Sequence, residues 1–137
     1  MSVPVPTELL DLFDEAAVGV LSYLNDKGQI VAFPVWVEYD GERILFSSPV
    51  GSRKGRSLSQ RPDVSITVVS PGNAFHYLSI SGRVVHVRPD HELEFIDRMS
   101  HKYVGTDYNR RTPREVFSVE IERTNTPWRR PQKTEST

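Results

Sequence analysis

The sequence predicts a mainly β protein, a small antiparallel β-barrel of six strands with three flanking helices. Strand-like segments rich in β-branched and aromatic residues follow one another as hairpins instead of alternating with helices, which disfavours a parallel sheet. Gly82 interrupts a long strand-like segment, and a glycine there indicates a bulge or bend that curls a sheet. A chain of 137 residues accommodates one such domain, which we expect to span residues 1–128.

The first half of the chain predicts a short helix and three strands. Thr7 is expected to cap the helix TELLDLF, whose leucines and phenylalanine fall on one side. The strand segments are VGVLSYL, QIVAFPVWVEY and RILFSS, and glycine-bearing turns at 25–28 and 40–41 separate them. These segments therefore predict two consecutive hairpins.

The second half predicts two helices and three further strands. A helix begins after Gly51 and ends at Pro62, and the strand VSITVV follows it. The long strand FHYLSISGRVVHVR comes next, Asp90 caps the helix HELEFIDRMSHKY, and EVFSVEIER is the last strand. The polar segment 129–137 lacks periodicity, and we expect it to be a disordered tail.

The composition narrows the classes of function. Seventeen basic and 18 acidic residues give a net charge of −1, so bulk charge does not favour nucleic acid or an acidic membrane as a partner. The chain has no cysteine, and its N-terminal segment does not resemble a signal peptide. We expect a soluble cytoplasmic protein.

Three cations at the start of the second predicted helix need an explanation. Arg53, Lys54 and Arg56 follow Gly51-Ser52, where the positive end of the helix dipole disfavours basic side chains. A bound anion would remove this conflict, and phosphate is suited to a helix N-terminus with nearby hydroxyl groups. The alternative is that these cations form only a solvated helix face.

Other chemical motifs are missing from the sequence. Neither GxxxxGK[ST] nor GxGxxG occurs, and no GxSxG segment accompanies the many serines. The four histidines, at positions 76, 86, 91 and 101, do not have the spacing of metal ligands. We therefore predict no metal site and no hydrolase triad.

The segment FSSPVGSRKGRSLSQRPDVSITVV resembles the phosphate-binding segment of the pyridoxamine 5′-phosphate oxidase-like, FMN-binding split β-barrels. Within that superfamily, FPVWV, YLSISGRV, IDRMSHKYVGTDY and EVFSVEIER resemble the flavin/deazaflavin oxidoreductases that use coenzyme F420. The resemblance extends from Val18 to Arg123. It implies a six-stranded split β-barrel, a homodimer with the cofactor groove between subunits, and hydride transfer between F420 and a small organic substrate.

The resemblance also implies which residues bind the cofactor. Phosphate would be held by Ser52, Arg53 and Lys54, and Arg56 would meet the anionic tail. Ser47 and Ser48 would line the approach to the ring. The ring would rest against the strand segment Pro34, Val35 and Trp36. No catalytic side chain is assigned.

One departure from the family pattern limits the choice of reaction. The pyridoxamine phosphate oxidases have an arginine and a lysine where this chain has Ala32 and Val37, so we do not expect pyridoxamine oxidation. Two alternatives to F420-dependent reduction remain. They are an FMN-dependent oxidoreductase of the same fold and a flavin or deazaflavin carrier without catalytic turnover.

Overall fold

The computed structural model describes residues 2–125. Within that range seven antiparallel strands form one sheet. They are β1 (Gly19–Leu24), β2 (Ile30–Val35), β3 (Glu38–Tyr39), β4 (Arg43–Pro49), β5 (Asp63–Ser70), β6 (Asn73–Pro89) and β7 (Arg114–Asn125). The expected domain end at residue 128 and the expected disordered tail, 129–137, lie outside the described residues.

The two edges of the sheet are joined by a very short piece of chain. The strand order is β2-β1-β5-β6-β7-β4-β3, so β2 and β3 form opposite edges, yet only Trp36 and Val37 separate them in sequence. Such a short connection brings the edges together, because the three steps from Val35 to Glu38 span no more than about 11 Å. The sheet must therefore curl, and the predicted antiparallel split barrel is confirmed.

The second predicted strand, QIVAFPVWVEY, divides into β2 and β3. Val35 still pairs with Gly19 of β1, whereas Glu38 pairs with Leu45 of β4 on the other edge. The break at Trp36 and Val37 is where the chain leaves one edge and joins the other. This division accounts for seven strands where the sequence predicted six.

The predicted irregularity at Gly82 is confirmed. The pairing of β6 with β7 changes register between Ser81 and Gly82. A Cβ atom built on Gly82 would lie 2.2 Å from the carbonyl oxygen of Glu120, closer than any side chain allows. Glycine is thus required for the backbones to approach each other at this bend.

Apolar side chains fill the inside of the curled sheet, and a smaller cluster lies on its outer face. Inside, the rings of Phe46 and Phe117 stack with centroids 5.1 Å apart. Outside, α2 (Glu94–Val104) packs Phe95 and Met99 against the outward side chains of β4 and β7. Both faces of β4 and β7 are therefore covered.

Two of the predicted helix starts differ in detail from the structure. The N-terminal segment Thr7–Phe13 is a 3₁₀ helix in which Pro6, not Thr7, has the capping position, so the predicted Thr7 cap is wrong. The Asp90 carboxylate does cap α2, accepting hydrogen bonds from the amides of Phe95 at 2.8 Å and Ile96 at 3.0 Å. A 3₁₀ turn, His91–Leu93, separates Asp90 from α2.

The remaining helix, α1 (Arg53–Gln60), begins one residue after the predicted start. Its first turn lies beside β4, and Gly55 allows the close packing there, since a Cβ would lie 3.3 Å from the Phe117 ring. No helix within residues 2–125 is long and apolar enough to cross a membrane.

Candidate cofactor-binding site

Two cavities lie at the split between β2 and β4. The larger, here called the polar cavity, measures about 880 Å³ and extends along α1 to the β1–β2 turn. The smaller, here called the apolar cavity, measures about 290 Å³ and lies between β2, β4 and α2. Pro34 and Lys54 line both cavities, so the two spaces are adjacent at these residues.

Hydroxyl groups and free amides meet at the start of α1, in the wall of the polar cavity. The Ser52 hydroxyl oxygen caps the helix by accepting from the Gly55 amide at 3.0 Å, and it lies 2.8 Å from the Ser48 hydroxyl oxygen. The amides of Arg53 and Lys54 have no acceptor within residues 2–125, as expected for a first helical turn. These groups are donors suited to a phosphate oxygen.

Basic side chains dominate the polar cavity. The first turn of α1 contains no acidic residue, and Asp26 is the acidic residue that lines the cavity. The basic residues in its wall are Lys27, Arg53, Lys54, Arg56 and Arg61. None of them forms an ion pair with another described residue. The charge of this cavity therefore favours an anion.

The guanidinium groups of Arg56 and Arg61 have different surroundings. Arg56 donates a hydrogen bond from Nη1 to the carbonyl oxygen of Gly51, so its guanidinium is folded back over the loop. Nη1 of Arg61 is buried and has no hydrogen-bond partner within the described residues. A buried donor without a partner is costly, and an anion in the polar cavity would relieve that cost.

Aromatic side chains form one wall of the apolar cavity. Trp36 stacks on Tyr103 with centroids 5.2 Å apart and planes 11° from parallel, and its ring meets Tyr108 edge-on at 5.9 Å. From α2, Phe95 and Met99 add apolar surface. This wall offers a flat, apolar surface on which an aromatic ring could pack.

The apolar cavity nevertheless contains two cations. The Arg114 guanidinium donates from Nε to the Ser47 hydroxyl oxygen at 2.8 Å, and Lys54 Nζ lies 5.6 Å from the centre of the Phe33 ring. Burial holds the pKa of Lys54 below its usual 10.5, and the charge of Arg114 lowers it further. Burial also lowers the pKa of Arg114, although Tyr108 and Asp90 oppose the shift. Both cations are therefore poorly hydrated.

All nine residues predicted to bind the cofactor line these cavities. The apolar cavity is lined by Val35, Trp36 and Ser47. The polar cavity is lined by Ser48, Ser52, Arg53 and Arg56. Both cavities are lined by Pro34 and Lys54. Their roles toward a cofactor stay predictions. Ala32 is exposed on β2, and Val37 is completely buried in the core.

Sequence reasoning left Arg114 and the apolar residues of α2 out of the predicted site. In the sequence, Arg114 follows Arg110 and Arg111 and fits an exposed basic loop, yet it is only 9% exposed. In the structure Arg111 instead pairs with Asp97, with N–O distances of 2.7 and 3.0 Å.

The described residues also contain no group of three or more histidine, aspartate or glutamate side chains that could hold a metal ion. The two cavities place a cluster of basic and hydroxyl groups suited to an anion next to an aromatic surface. Such an arrangement binds and orients a ligand that is charged at one end and flat at the other.

Solved structures share this fold at low sequence identity. A protein described as an F420 reductase superposes with a TM-score of 0.80 at 23% identity, over 88% of this chain and 98% of that one. A protein from Listeria innocua, described as a putative pyridoxamine 5′-phosphate oxidase, gives 0.61 at 18% identity, over 86% and 94%. Another so described, from Lactobacillus delbrueckii, gives 0.59 at 10%, over 90% and 94%. These similarities establish the fold.

None of the curated proteins matches this chain significantly in sequence. The family model described as pyridoxamine 5′-phosphate oxidase matches residues 5–126, which include every strand and both cavities. Because this match covers most of its length, the chain belongs to the pyridoxamine 5′-phosphate oxidase family of oxidoreductases.

Proposed function

We propose that the chain transfers a hydride between the deazaflavin coenzyme F420 and a small organic substrate. Membership of an oxidoreductase family supports the class of reaction. The choice of F420 is supported by the similarity in fold to a protein described as an F420 reductase, with a TM-score of 0.80. The absence of basic residues at positions 32 and 37 argues against pyridoxamine oxidation.

One observation carries the proposal: Lys54 lies where the basic polar cavity joins the aromatic apolar cavity. A cofactor with its phosphate at the start of α1 would rest its flat ring on Pro34, where the cavities meet, and would leave the apolar cavity to the substrate. The Ser48 and Ser52 hydroxyls, two free amides and the Arg53 side chain fit the phosphate. Pro34, exposed on β2, offers an apolar surface to the ring.

The extent of the polar cavity favours F420 over FMN. FMN has one phosphate on a short ribityl chain, whereas F420 continues into a phospholactyl-glutamate tail with further negative charges. The cavity of about 880 Å³ continues past the start of α1 to Arg56 and Arg61, where additional anionic groups would find cations. The unpartnered Nη1 of Arg61 is the strongest reason to expect an anion there.

The protein's own part in the reaction is to bind, orient and keep water away. When bound, the deazaflavin ring supplies a carbon that donates or accepts a hydride. The Ser-Arg-Lys segment would hold the phosphate at the start of α1. Trp36 and Met99 exclude water from the space where the substrate would lie.

Two further parts of the proposal concern the assembly and its location. A homodimer would complete the cofactor groove, and the exposed apolar side chains of Val18, Val20 and Pro34 next to the cavities support a second copy packing there. The cytoplasm is the proposed compartment, and the absence of cysteine fits a reducing environment.

A parallel titration with F420 and FMN, followed by quenching of cofactor fluorescence, tests the choice of cofactor. We expect saturable binding with a preference for F420. Saturable binding of FMN alone would replace this proposal with an FMN-dependent oxidoreductase. Tight binding of F420 without turnover of any quinone, enone or tetrapyrrole would instead indicate a carrier.

The double substitution Arg53→Ala/Lys54→Ala tests the proposed phosphate-binding role of these two residues. Each charge-assisted hydrogen bond contributes about 1.5–3 kcal/mol and neighbouring bonds are not additive, so F420 affinity should fall by about 2–4 kcal/mol. Arg83→Ala/Arg123→Ala removes two exposed cations that line neither cavity and serves as the control. Equal affinity in the two double variants would assign Arg53 and Lys54 to a solvated helix face.

A further inference from the structure

The guanidinium of Arg114 is a buried cation that the proposed cofactor contacts do not use. Arg114 is the first residue of β7 and is only 9% exposed, yet it lines the apolar cavity beneath α2. Its Nε donates to Ser47 Oγ at 2.8 Å, and its Cζ lies 5.0 Å from the Tyr108 ring centre. A hydroxyl and an aromatic ring hold the group in place without neutralising it.

No carboxylate within residues 2–125 forms an ion pair with Arg114. The acidic members of the four described ion pairs are Asp11, Glu38, Asp97 and Asp107, and none of them pairs with Arg114. Asp90 attracts Arg114, but both of its carboxylate oxygens accept backbone amide hydrogens at the start of α2. Lys54 adds a second positive charge to the same cavity, and the two cations repel each other. Burying like charges together is unfavourable unless something anionic joins them.

We propose that Arg114, supported by Ser47, is the docking point for a carboxylate of the substrate, so that the substrate is a small, flat organic acid. A guanidinium presents paired N–H groups that match the two oxygens of a carboxylate. The remainder of the substrate would lie along the Trp36 ring and the Met99 side chain. The proposal rests on the proposed function in one respect, namely that the occupant of the apolar cavity is the substrate.

The volume of the apolar cavity supports a small ligand. At about 290 Å³ it is at the lower end of the range for small-molecule sites. The polar cavity has three times more space and basic groups at several positions, so the phosphate-bearing cofactor has a better place there. One anion in each cavity would satisfy the cations of both.

Benzoate and its neutral analogue benzamide are suitable probes of the carboxylate subsite, because they have the same shape and differ in charge. The chain has two tryptophans, so a Trp128→Phe background makes Trp36, in the cavity wall, the source of tryptophan fluorescence. In cofactor-free protein, we expect benzoate to quench this fluorescence with an affinity at least about tenfold higher than benzamide. Equal affinities for the two probes would overturn the proposal.

Arg114→Gln in the same background should abolish the preference for benzoate. Arg111→Gln is the matched control, because Arg111 is exposed, pairs with Asp97 and does not line the cavity. The preference should survive in that variant. If Arg53→Ala removes the preference and Arg114→Gln does not, benzoate occupies the polar cavity and the proposal is wrong.

A measurement on unsubstituted protein guards against misfolding of the Arg114 variant. In nitrogen-15 spectra the Nε–H signal of Arg114 should shift at a lower concentration of benzoate than of benzamide. An unmoved signal with both probes would contradict the proposal.

The F420 titration on the same proteins separates this proposal from the proposed function. Normal F420 binding without a preference for benzoate would overturn the carboxylate subsite alone. A benzoate preference without F420 or FMN binding would overturn the cofactor assignment and leave the subsite standing. An equally large loss of F420 affinity in Arg114→Gln and in Arg53→Ala/Lys54→Ala would assign Arg114 to the cofactor and overturn its role toward substrate.

Discussion

At the scale of single residues, Gly82 has the tightest steric constraint among the described glycines. A Cβ atom there would lie 2.2 Å from the Glu120 carbonyl oxygen and 3.1 Å from Cγ1 of Val119. The obstructing atom belongs to the backbone of β7, which is paired on both sides and cannot move alone. The bend that curls the barrel therefore depends on the absence of a side chain at this position.

We expect Gly82→Ala to lower the free energy of unfolding by about 2 kcal/mol or more, because overpacking in a fixed sheet is relieved only by backbone shifts. Urea unfolding followed by circular dichroism measures this. Gly72→Ala is the control, since its Cβ would meet no atom within 4 Å. That variant should change stability by less than about 0.5 kcal/mol. Equal effects of the two substitutions would mean that β6 and β7 do not approach each other as described.

Residue types alone predicted the anion-binding residues at the start of α1 but not Arg114. Arg53 and Lys54 stood out because basic side chains conflict with a helix N-terminus. Arg114 gave no such signal, since it is at a strand end with Val116 on the same side. Alternation in EVFSVEIER predicts that Phe117, Val119 and Ile121 lie on the buried face, but it does not show that α2 covers the other face as well.

At the scale of elements, α2 is fastened to the connection between β2 and β3. The Tyr103 hydroxyl donates to the Ala17 carbonyl oxygen at 2.6 Å and accepts from the Val37 amide at 3.1 Å. Lys102 Nζ donates to the carbonyl oxygens of Phe13 at 2.5 Å and Val37 at 3.1 Å. Because Trp36 precedes Val37 and stacks on Tyr103, these bonds also fix the aromatic wall of the apolar cavity.

Tyr103→Phe should destabilise the protein by about 1–3 kcal/mol at neutral pH, because it leaves two backbone groups without their partner. Burial raises the pKa of the Tyr103 hydroxyl above 10.0, against an opposing effect of its Val37 bond. Above pH 10.0 the unfolded chain ionises first, so the contribution of the hydroxyl to stability decreases as the pH approaches its raised pKa. The difference in the free energy of unfolding between wild type and Tyr103→Phe should therefore become smaller as the pH rises above 10.

Urea midpoints measured at neutral pH and on both sides of pH 10 test this dependence. Tyr77→Phe is the matched control, since the Tyr77 hydroxyl forms no hydrogen bond within residues 2–125, and its stability should equal that of wild type at each pH. A difference between wild type and Tyr103→Phe that widens at alkaline pH would contradict the assigned hydrogen bonds.

The elements themselves were largely predictable, and the exceptions have identifiable causes. Turn residues and alternation marked the hairpins, and the bulge at Gly82 followed from a glycine inside a strand. The break after Val35 was not visible, because Trp36 and Val37 are ordinary strand residues and only the closure of the barrel separates them from β2. The turn before α2 was also hidden, since Glu92 and Leu93 adopt positive φ angles of 53° and 59° without a glycine.

At the scale of the whole molecule, the outer face of β1 and β2 leaves an apolar surface beside the polar and apolar cavities. Val20 pairs with Pro34, and Leu24 pairs with Ile30, so these four side chains share one face. All four are exposed, Val20 at 41% and Ile30 at 79%. Exposed apolar surface of this kind is typical of an interaction site. Its position beside the two cavities fits the proposed cofactor groove between two subunits.

We expect sedimentation velocity to give twice the chain mass of 15.6 kDa. Val20→Glu should raise the dimer dissociation constant by about a hundredfold or more, because an unpaired carboxylate in an interface costs several kcal/mol. It should also weaken F420 binding, because the proposed cofactor groove lies between the two subunits. Val104→Glu is the control, because Val104 is 61% exposed at the end of α2 and borders neither cavity. A monomeric wild-type protein that binds F420 at full affinity would show instead that one chain forms the complete site.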